Sequence, residues 1–529
     1  MGWRRRMVGA RVLLLTAALL GAPLGSARAE APSATGSLTV ALAAEPTTLD
    51  PVRYSAGVDT YGVGQIFELL LRPDPSGKLQ NWLAESWEIQ GTPEKPIIDV
   101  RIRPGVRFQN GDPLTAADFE FSYNRLRDPA QSRWAHLQAA VERFEVVDDL
   151  HFRIHFKEPD ASYIAAYLQL WAMPKRYFEQ VGPEGFARAP IGTGPWRLVS
   201  WKVKEEMRLE AFDDYWNREH RPGVRELVIK FIPEDLTRVA AFRTGAMDWM
   251  DAVPPAMVEE FRNMPGVTTA TKVSGNNLYI DFPSDQPNSP FRDVRVRQAA
   301  AHAVDMDAII RRVLFGQGQR YAEIGEGSTG YDPDLKPLPF NPRRARELLR
   351  QAGYPNGFDT PCYNLTTPRE PNVKEMGEAV FAYLTAVGIR CRIVQLEYGA
   401  WINLGRRATP PELDGVLSWM WSQGVPGDPG VAWAGHLHSY QPGTGWGSYS
   451  YTADPEMDRM VEEQRRTMDP EKRAELLRQI ARRKRDQVLG GLTTYRPLVT
   501  IAWRTDKVSF TPWPWPGYYR NFQEIGLKR

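Results

Sequence analysis

Hydrophobic residues alternate with polar or small residues at several places in the first 290 residues, and this pattern predicts strands. Leu38, Val40 and Leu42 show the period of two that a half-buried strand requires. The chain repeats this pattern at regular distances and breaks it with proline and glycine. Strands are predicted at 38–42, 98–102, 150–156, 208–212, 227–232 and 278–282.

Helical spacing appears between some of these strands. Ile66, Leu69 and Leu70 are spaced as on one helix face, and a helix is also predicted over 237–243. Thr115 and Asp118 have the spacing of a capping box, which predicts that a helix begins there. Strands and helices together predict a mixed α+β unit over residues 76–189.

After Pro290 the pattern changes to longer helices. Asn341-Pro342, Asp454-Pro455 and Asp469-Pro470 each combine a capping side chain with proline in the first turn, which predicts three helix starts. Another helix is predicted over 376–387, closed by Gly388. Strands are predicted at 389–396, 414–417 and 492–503.

The chain has two cysteines, Cys362 and Cys391, and their spacing fits no zinc motif. They lie in a strand, helix, strand sequence, which usually forms parallel neighbouring strands. If those strands are neighbours, the two cysteines can meet. A disulfide and a pair of buried, unpaired thiols both remain open.

Composition gives an ordinary folded protein with a charged beginning. The 529 residues are 42% hydrophobic and 25% charged, with a formal net charge of +2. Five arginines and no acid precede Glu30, so removing residues 1–29 changes the charge from +2 to −3. A mildly acidic chain without a basic patch argues against nucleic acid as a partner.

Residues 1–29 have the organisation of a signal peptide. Arg4–Arg6 form a positive region, Val12–Leu20 an apolar stretch, and Ala27 and Ala29 a small-x-small cleavage pattern. We expect cleavage after Ala29 and a periplasmic protein exported by the general route. An uncleaved anchor and twin-arginine export are the alternatives. No later apolar run reaches spanning length.

Short motifs along most of the remaining chain resemble those of the family 5 extracellular solute-binding proteins, in the expected order. Each motif is weak alone, and their order carries the resemblance. They are LTVALAAEPTTLDP (38–51), IFELLL (66–71), LAESW (83–87), IRPGVRFQNGDPLTAADFEFSY (102–123), IGTGPW (191–196), FDDYW (212–216), RQAAAHAVDMDAII (297–310), GYPNGF (353–358) and GDP (427–429).

The resemblance implies an α/β fold of the type II periplasmic-binding class, a clamshell of two lobes with an extra α+β subdomain inserted in lobe I. Two strand crossings would form the hinge, and a ligand touching both lobes would stabilise the closed form. The expected divisions of the chain are the signal peptide (1–29), the first segment of lobe I (37–75), the inserted subdomain (76–189), the second segment of lobe I (190–287), lobe II (288–496) and a C-terminal return to lobe I (497–529).

The resemblance also indicates two ligand-binding segments that flank the predicted cleft. In the family, the loop that corresponds to 54–59 lines the cleft, so Tyr54, Ser55 and Asp59 are candidates. The segment that corresponds to 366–369 carries an arginine that grips the ligand carboxylate. Here Thr367 falls at the matching position and Arg369 lies two places later. A guanidinium suits a carboxylate because it donates in a planar fork.

A third candidate segment is 418–428, which resembles the stretch with aromatic and acidic pocket residues. Trp419 and Trp421 alternate with their neighbours, so both indoles are expected on one face, with Gln423 following. In peptide binders an aspartate pairs with the ligand amino group. Its matching position here is Val425, and Asp428 remains a fallback partner. Solvent loops and lobe core are the structural alternatives for these segments.

Metal and catalytic sites find little support. His436 and His438 would share a strand face, but two histidines alone bind metal weakly. His151 and His155 are expected to be solvated. No nucleophile elbow, phosphate loop or His-Glu-x-x-His helix is present. We expect no catalytic residue, metal or cofactor.

The resemblance therefore implies the periplasmic substrate-binding component of an ABC importer, which captures a peptide or a similar small polar solute. Opines, oligosaccharides and metal chelates are alternative ligands. The expected partners are the inner-membrane permease and its cytoplasmic ATPase, with a monomeric binding protein. An envelope enzyme such as a hydrolase, or a sensor or chaperone, is the alternative function on the same fold.

Overall fold

The computed structural model describes residues 34–54, 57–74, 79–132, 134–161, 170–274, 276–366, 372–406, 413–422, 428–441, 446–447, 449, 451–511 and 522–528. The strands are β1 (Ser37–Leu42), β2 (Leu71–Pro73), β3 (Leu79–Asn81), β4 (Ala84–Thr92), β5 (Lys95–Ile102), β6 (Val141–Asp148), β7 (His151–Phe156), β8 (Trp196–Lys202), β9 (Glu206–Ala211), β10 (Glu226–Phe231), β11 (Trp249–Val253), β12 (Val267–Val273), β13 (Asn276–Asp281), β14 (Gly318–Gln319), β15 (Phe358–Leu365), β16 (Ile389–Leu396), β17 (Val416–Ser422), β18 (Leu492–Arg504), β19 (Val508–Ser509) and β20 (Gly526–Leu527). The α-helices are α1 (Thr60–Ile66), α2 (Ala116–Leu126), α3 (Lys175–Arg188), α4 (Asp235–Arg243), α5 (Val258–Arg262), α6 (Val294–Ala303), α7 (Met306–Arg312), α8 (Pro342–Gln351), α9 (Val373–Val387), α10 (Tyr398–Arg406), α11 (Gly430–His436), α12 (Pro455–Arg466) and α13 (Pro470–Gln487).

A large mixed sheet organises the described chain. Its strand order is β16-β15-β17-β13-β18-β11-β1-β10-β9-β8, with β12 and β14 also paired to β18. Parallel pairing occurs in two groups, β10-β1-β11 and β16-β15-β17. We call the portion from β11 to β8, together with β12, the first half of the sheet. The portion from β16 to β13 is the second half.

Strand β18 is long enough to serve both halves. Its beginning pairs with β13, and its end pairs with β12 and β11. Strand β12 ends at Val273 and β13 begins at Asn276, so the chain also passes from one half to the other over residues 273–276, of which the structure describes 273, 274 and 276. The two halves are thus connected along the described chain by two adjacent strand segments, at 273–276 and 495–498.

Separate hydrophobic clusters stabilise the two halves. In the second half, α9 packs its apolar face, including Val380 and Leu384, against the sheet. In the first half, Val40 and Leu209 belong to a different buried cluster. Burial of such side chains contributes about 1.5–3 kcal/mol each, so each half has its own source of stability.

A four-stranded antiparallel sheet, in the order β4-β5-β7-β6, forms a unit of its own with α2. Phe119 of α2 packs on Phe152 of β7 with ring centroids 5.5 Å apart. Helix α2 begins at the capping box of Thr115 and Asp118, as the sequence predicts. This small sheet lies within the predicted α+β unit, whose boundaries stay predictions together with those of the other divisions of the chain.

The predicted helix starts in the second half are confirmed. Asn341, Asp454 and Asp469 each accept a hydrogen bond from the backbone N–H three residues later, at 3.0, 2.7 and 2.9 Å. Gly388 ends α9 with a φ of 112°, a conformation that glycine adopts without strain.

The helix predicted across residues 66–70 is wrong. Helix α1 ends at Ile66, and Phe67 is extended. The Ile66 carbonyl accepts a hydrogen bond from the backbone N–H of Gly194 at 2.9 Å, which comes from a distant turn. A Cβ atom at Gly192 would lie 2.1 Å from the same carbonyl oxygen, so this close approach needs glycine. Tertiary contact therefore overrides the local spacing.

The two cysteines form a disulfide in the structure. Cys362 lies on β15 and Cys391 on its parallel neighbour β16, with Cα atoms 5.4 Å apart. Cys391 is the register partner of Thr360, so the bridge joins diagonal neighbours on two paired strands. A disulfide at this position fits an oxidising compartment.

Candidate functional site

The predicted ligand segments of the second half follow parallel strands. Strand β15 ends at Leu365, directly before Thr366, and β17 ends at Ser422. Because β15 and β17 are parallel neighbours, their carboxyl ends lie at the same edge of the sheet. Ligands of open α/β sheets bind outside such strand ends. The candidates Thr367, Arg369 and Gln423 lie outside the described residues.

Trp419 and Trp421 belong to β17, which is longer than the predicted strand at 414–417. Their backbones pair with Tyr279 and Asn277 of β13, in that order. The structure describes only the backbone of the two tryptophans, so the predicted aromatic wall stays a prediction. The register identifies Tyr279 and Asn277 as their neighbours across the sheet.

The first-half segment, 54–59, lies between β1 and α1 and leads directly into α1. Tyr54 is half-buried, its ring centroid lies 5.9 Å from that of Trp134, and its carbonyl accepts a hydrogen bond from the Trp134 Nε1 at 3.2 Å. Asp59 is fully buried and accepts hydrogen bonds from the backbone N–H and hydroxyl of Thr47 at 2.6 and 2.8 Å. Ser55 lies outside the described residues. Asp59 thus supports the loop, and its contact with a ligand stays a prediction.

Asp428 is already engaged within the protein. Its two carboxylate oxygens accept hydrogen bonds from the Arg473 guanidinium at 2.8 Å each, and one also accepts from the Gly430 N–H at 2.9 Å. Both side chains are largely buried. A ligand amino group would have to compete with this bidentate pair. The proposed fallback role of Asp428 remains a prediction.

The sequence reasoning missed a buried polar cluster beside β17. Asn277 and Tyr279 of β13 are almost completely buried, and Tyr321 approaches the Tyr279 hydroxyl. Lys484 of α13 forms an ion pair with Glu323 at 2.7 Å between Nζ and Oε2. The polar residues alternate with apolar ones along β13, which resembles an ordinary solvent-facing strand. Among the described residues, His436 of α11, Lys484 of α13 and Tyr321 contact this face, which makes it internal.

Burial shifts the pKa of two tyrosines and one aspartate in this cluster toward the neutral form. It raises the pKa of Tyr279 and of Tyr321 well above the ordinary tyrosine value. It also raises the pKa of Asp281, against the opposing effect of His436. The tyrosines therefore act as neutral hydrogen-bonding groups at physiological pH.

The histidines occupy structural positions. His436 ends helix α11, so the predicted strand there is wrong, and its ring lies 4.8 Å from that of Tyr279. His151 is buried and forms a hydrogen bond with Asp99 at 2.8 Å, so its predicted exposure to solvent is also wrong. Across the portion of the chain that the structure describes, no three His, Cys, Asp or Glu side chains are placed to hold a metal ion. Within the same ranges, no helix has the length and apolarity needed to cross a membrane.

Comparison with known proteins supplies the family. The family model described as bacterial extracellular solute-binding proteins, family 5 Middle, matches residues 78–444. The glutathione-binding protein GsiB of Pectobacterium atrosepticum is 27% identical over 424 residues, which cover 78% of this chain and 76% of that protein. A dipeptide-binding protein of Pseudomonas aeruginosa is also 27% identical and covers 93% of this chain and 95% of its own length.

A solved structure extends the likeness to the fold. The ABC transporter-associated periplasmic binding protein DppA from Helicobacter pylori, in complex with the peptide STSA, superposes with a TM-score of 0.81. Its sequence is 23% identical, and the match covers 94% of this chain and 98% of that chain.

These findings confirm the predicted fold class, a type II periplasmic-binding α/β fold. The family model also confirms the predicted function at the level of class, an extracellular solute-binding protein. The family model matches well over half of the sequence. The chain belongs to family 5 of the bacterial extracellular solute-binding proteins.

Proposed function

We propose that this protein captures a peptide or a similar small polar solute in a cleft between the two halves of the sheet and delivers it to an inner-membrane permease with its ATPase. The signal peptide is removed after Ala29, and the mature protein acts in the periplasm as a monomer without catalytic activity. The observation that carries this proposal is topological. The candidate segments lie where parallel strands end in both halves, and only two adjacent strand segments connect those halves within the described chain.

Closure about those two segments explains how binding becomes a signal. A solute that touches both halves stabilises the closed form, because only that form provides both sets of contacts. The segments 273–276 and 495–498 are short and hydrogen-bonded to each other, with the Ser274 N–H donating to the Pro497 carbonyl at 2.7 Å. Such a short double connection permits rotation with little loss of packing.

A contact far from these segments supports a closed form. Asp160, just after β7 of the small sheet, forms an ion pair with Arg465 of α12, and the Ala161 N–H donates to the Arg465 carbonyl at 2.5 Å. Asp160 is 1% exposed, so the pair is shielded from water. Met468 packs against the core of the small sheet nearby. These contacts would break when the small sheet and α12 separate.

Native mass spectrometry and calorimetry test the proposal. The protein purified without denaturation should carry a solute of defined mass, which is recovered unchanged after unfolding. Refolded protein should bind it again, one molecule per chain, with a smaller radius of gyration in X-ray scattering. Chemical change of the released solute would favour an enzyme instead. The absence of any bound solute, together with no binding of dipeptides, tripeptides or glutathione, would contradict the proposal.

The ion pair offers a sharper test of closure. Asp160→Asn and Arg465→Gln should each weaken solute binding, and the double variant should lose no more than the larger single effect. A coupling of about 1–2 kcal/mol is expected for a shielded pair of neighbouring residues. Full additivity of the two effects would show that the pair does not contribute to closure.

A further inference from the structure

Three polar side chains meet where the chain crosses between the halves of the sheet. Asn277 is the second residue of β13, Arg496 lies in β18, and Tyr321 follows β14. Leu278 and Tyr495 are register partners, which places Asn277 beside Arg496, and Gln319 pairs with Arg496 from the other side. We call Asn277, Tyr321 and Arg496 the crossing cluster.

Arg496 is a cation without an acidic partner among the described residues. Its hydrogen bond within those residues goes from Nη2 to the Ser274 carbonyl at 3.1 Å. Its Nε is buried and has no hydrogen-bond acceptor in the described chain. The guanidinium carbon lies 5.8 Å from the Tyr321 ring centroid. A guanidinium has five N–H donors, and the buried Nε–H of Arg496 is one that no described acceptor uses.

The hydrogen bonding of the neighbours of Arg496 is incomplete, although the Tyr279 hydroxyl lies close to both the Tyr321 hydroxyl and the Asn277 side chain. Asn277 has no exposed surface, and neither its amide nitrogen nor its amide oxygen has a well-formed hydrogen bond to a described residue. The Tyr321 hydroxyl is buried and has no such bond within the described ranges either. Buried polar atoms are nearly always hydrogen-bonded, because leaving one without a partner is costly. Three such side chains at one place point to a polar group that completes them.

The nearby charges leave Arg496 uncompensated. Lys484 pairs with Glu323, whose Oε2 also accepts a hydrogen bond from the Thr493 hydroxyl at 2.7 Å. Asp281 faces His436, with 3.7 Å between Oδ1 and Nε2. Glu323 therefore has its own cationic partner in Lys484, and the Asp281 carboxyl lies against the His436 ring. The additional positive charge at the crossing belongs to Arg496.

We propose that the crossing cluster binds an anionic oxygen group of the solute, such as a carboxylate. This inference rests on the proposed function and specifies one end of its ligand. The Arg496 guanidinium can donate to two oxygens, and the Tyr321 hydroxyl and Asn277 amide add neutral donors. Asn277 pairs with Trp421 on its other side, so the cluster continues into the predicted ligand segment of β17. Because the cluster adjoins the two segments about which closure is proposed, it is expected to move little on closure.

The experiment compares carboxylates with their amides. Calorimetry uses dipeptides, tripeptides and glutathione, and the C-terminal amide of each peptide that binds, with wild type and four single variants. These are Arg496→Met, Tyr321→Phe, Arg369→Met and Arg504→Met. Arg504 is the matched control, because it lies on the same strand and donates to the backbone carbonyls of Phe242 and Arg243 at 2.9 and 3.3 Å. Circular dichroism and thermal melts show that each variant is folded.

We expect Arg496→Met to weaken binding of free carboxylates by about 10- to 100-fold, the range for a lost hydrogen bond to a charged group. It should bind amides as wild type does, so the preference for carboxylates disappears. Tyr321→Phe should have a smaller effect in the same direction, and Arg504→Met none. Unchanged preference in Arg496→Met, or its loss only in Arg369→Met, overturns the inference and leaves the proposed function standing. If wild type binds no solute in the panel, the proposed function fails and this inference fails with it.

Discussion

Two buried polar regions of this protein differ in how completely their hydrogen bonds are made. Around Glu68, the carboxylate accepts hydrogen bonds from the Tyr215 hydroxyl at 2.6 Å and from the indole N–H groups of Trp82 and Trp216 at 2.6 and 2.9 Å. The crossing cluster of Asn277, Tyr321 and Arg496 has buried donors without described acceptors. The first region joins the small sheet to the first half of the large sheet. The second lies at the proposed floor of the cleft.

The difference indicates what each region is for. A matched polar network fixes one arrangement of the segments that it joins, because any displacement leaves buried groups unsatisfied. An unmatched cluster costs stability in the protein alone, and a ligand can recover that cost when it binds. Burial and polarity alone would have placed both regions in one class. The balance of donors and acceptors separates them.

The largest effect is expected for the matched ion pair of Lys484 and Glu323, which lies beside the second region. Lys484→Met leaves the Glu323 carboxylate buried without its cation, which should lower the free energy of unfolding by about 3–5 kcal/mol. Adding Glu323→Leu should restore much of this loss, because no unpaired charge then remains. Urea unfolding measures the free energy of unfolding of the single and the double variant. A small loss in the single variant would show that water reaches this pair.

In the first region, Glu68→Gln should lower the free energy of unfolding by about 1–3 kcal/mol. The amide can accept with its oxygen, but its NH₂ group faces indole and hydroxyl donors. Solute affinity should not change. A melting temperature equal to that of wild type would mean that the Glu68 carboxyl is already protonated in the folded protein. Burial raises the pKa of Glu68 and so favours that protonated form.

Asn277→Leu distinguishes the two regions most directly. Removing a buried amide that lacks well-formed hydrogen bonds within the described chain should change the free energy of unfolding by less than about 1 kcal/mol, and in either direction. Solute binding should nevertheless weaken. A loss of stability as large as that of Glu68→Gln would show that the hydrogen bonds of the crossing cluster are also complete. The two regions would then not differ in this respect.

The smallest effect is expected for a carboxylate whose cationic partners are exposed to water. Hydrogen bonds from Arg208 and then Lys230 lower the pKa of Glu206 to about 2 from 4.5. The folded state therefore favours the ionised form, and this stabilisation is present above pH 4.5 and is lost as the pH falls toward 2. Because both cations are more than a third exposed, the contribution should stay below about 1 kcal/mol. The free energies of unfolding of wild type and Glu206→Gln, measured as a function of pH, should converge near pH 2. A constant difference between the two curves would contradict the lowered pKa of Glu206.

Local signals in the sequence determined much of the fold. Strand β16 at Ile389–Leu396, helix α9 and the capped helices after Asn341, Asp454 and Asp469 follow from hydrophobic period and capping chemistry. These features act within a few residues, so the sequence contains them directly. The ordered motifs indicated the family because each motif is also a short stretch that can be recognised directly in the sequence.

Tertiary structure decided what depends on distant residues. Helix α1 ends at Ile66 because the Ile66 carbonyl accepts a hydrogen bond from the backbone N–H of Gly194, which lies far along the chain. Cys362 and Cys391 became a disulfide once their strands were neighbours, which the sequence left open. Asp428, a candidate for binding the solute, lies against Arg473, and no local pattern connects these two.

The crossing cluster shows the same limit for function. Asn277, Tyr321 and Arg496 lie in three separate segments, and each is ordinary in its own sequence context. Their significance comes from the register of β13, β14 and β18, which brings them together out of reach of compensating acids within the described chain. Hydrophobic period and capping thus determine the elements and the family, while the partners of a half-buried charge such as Arg496 are set only when distant strands pair.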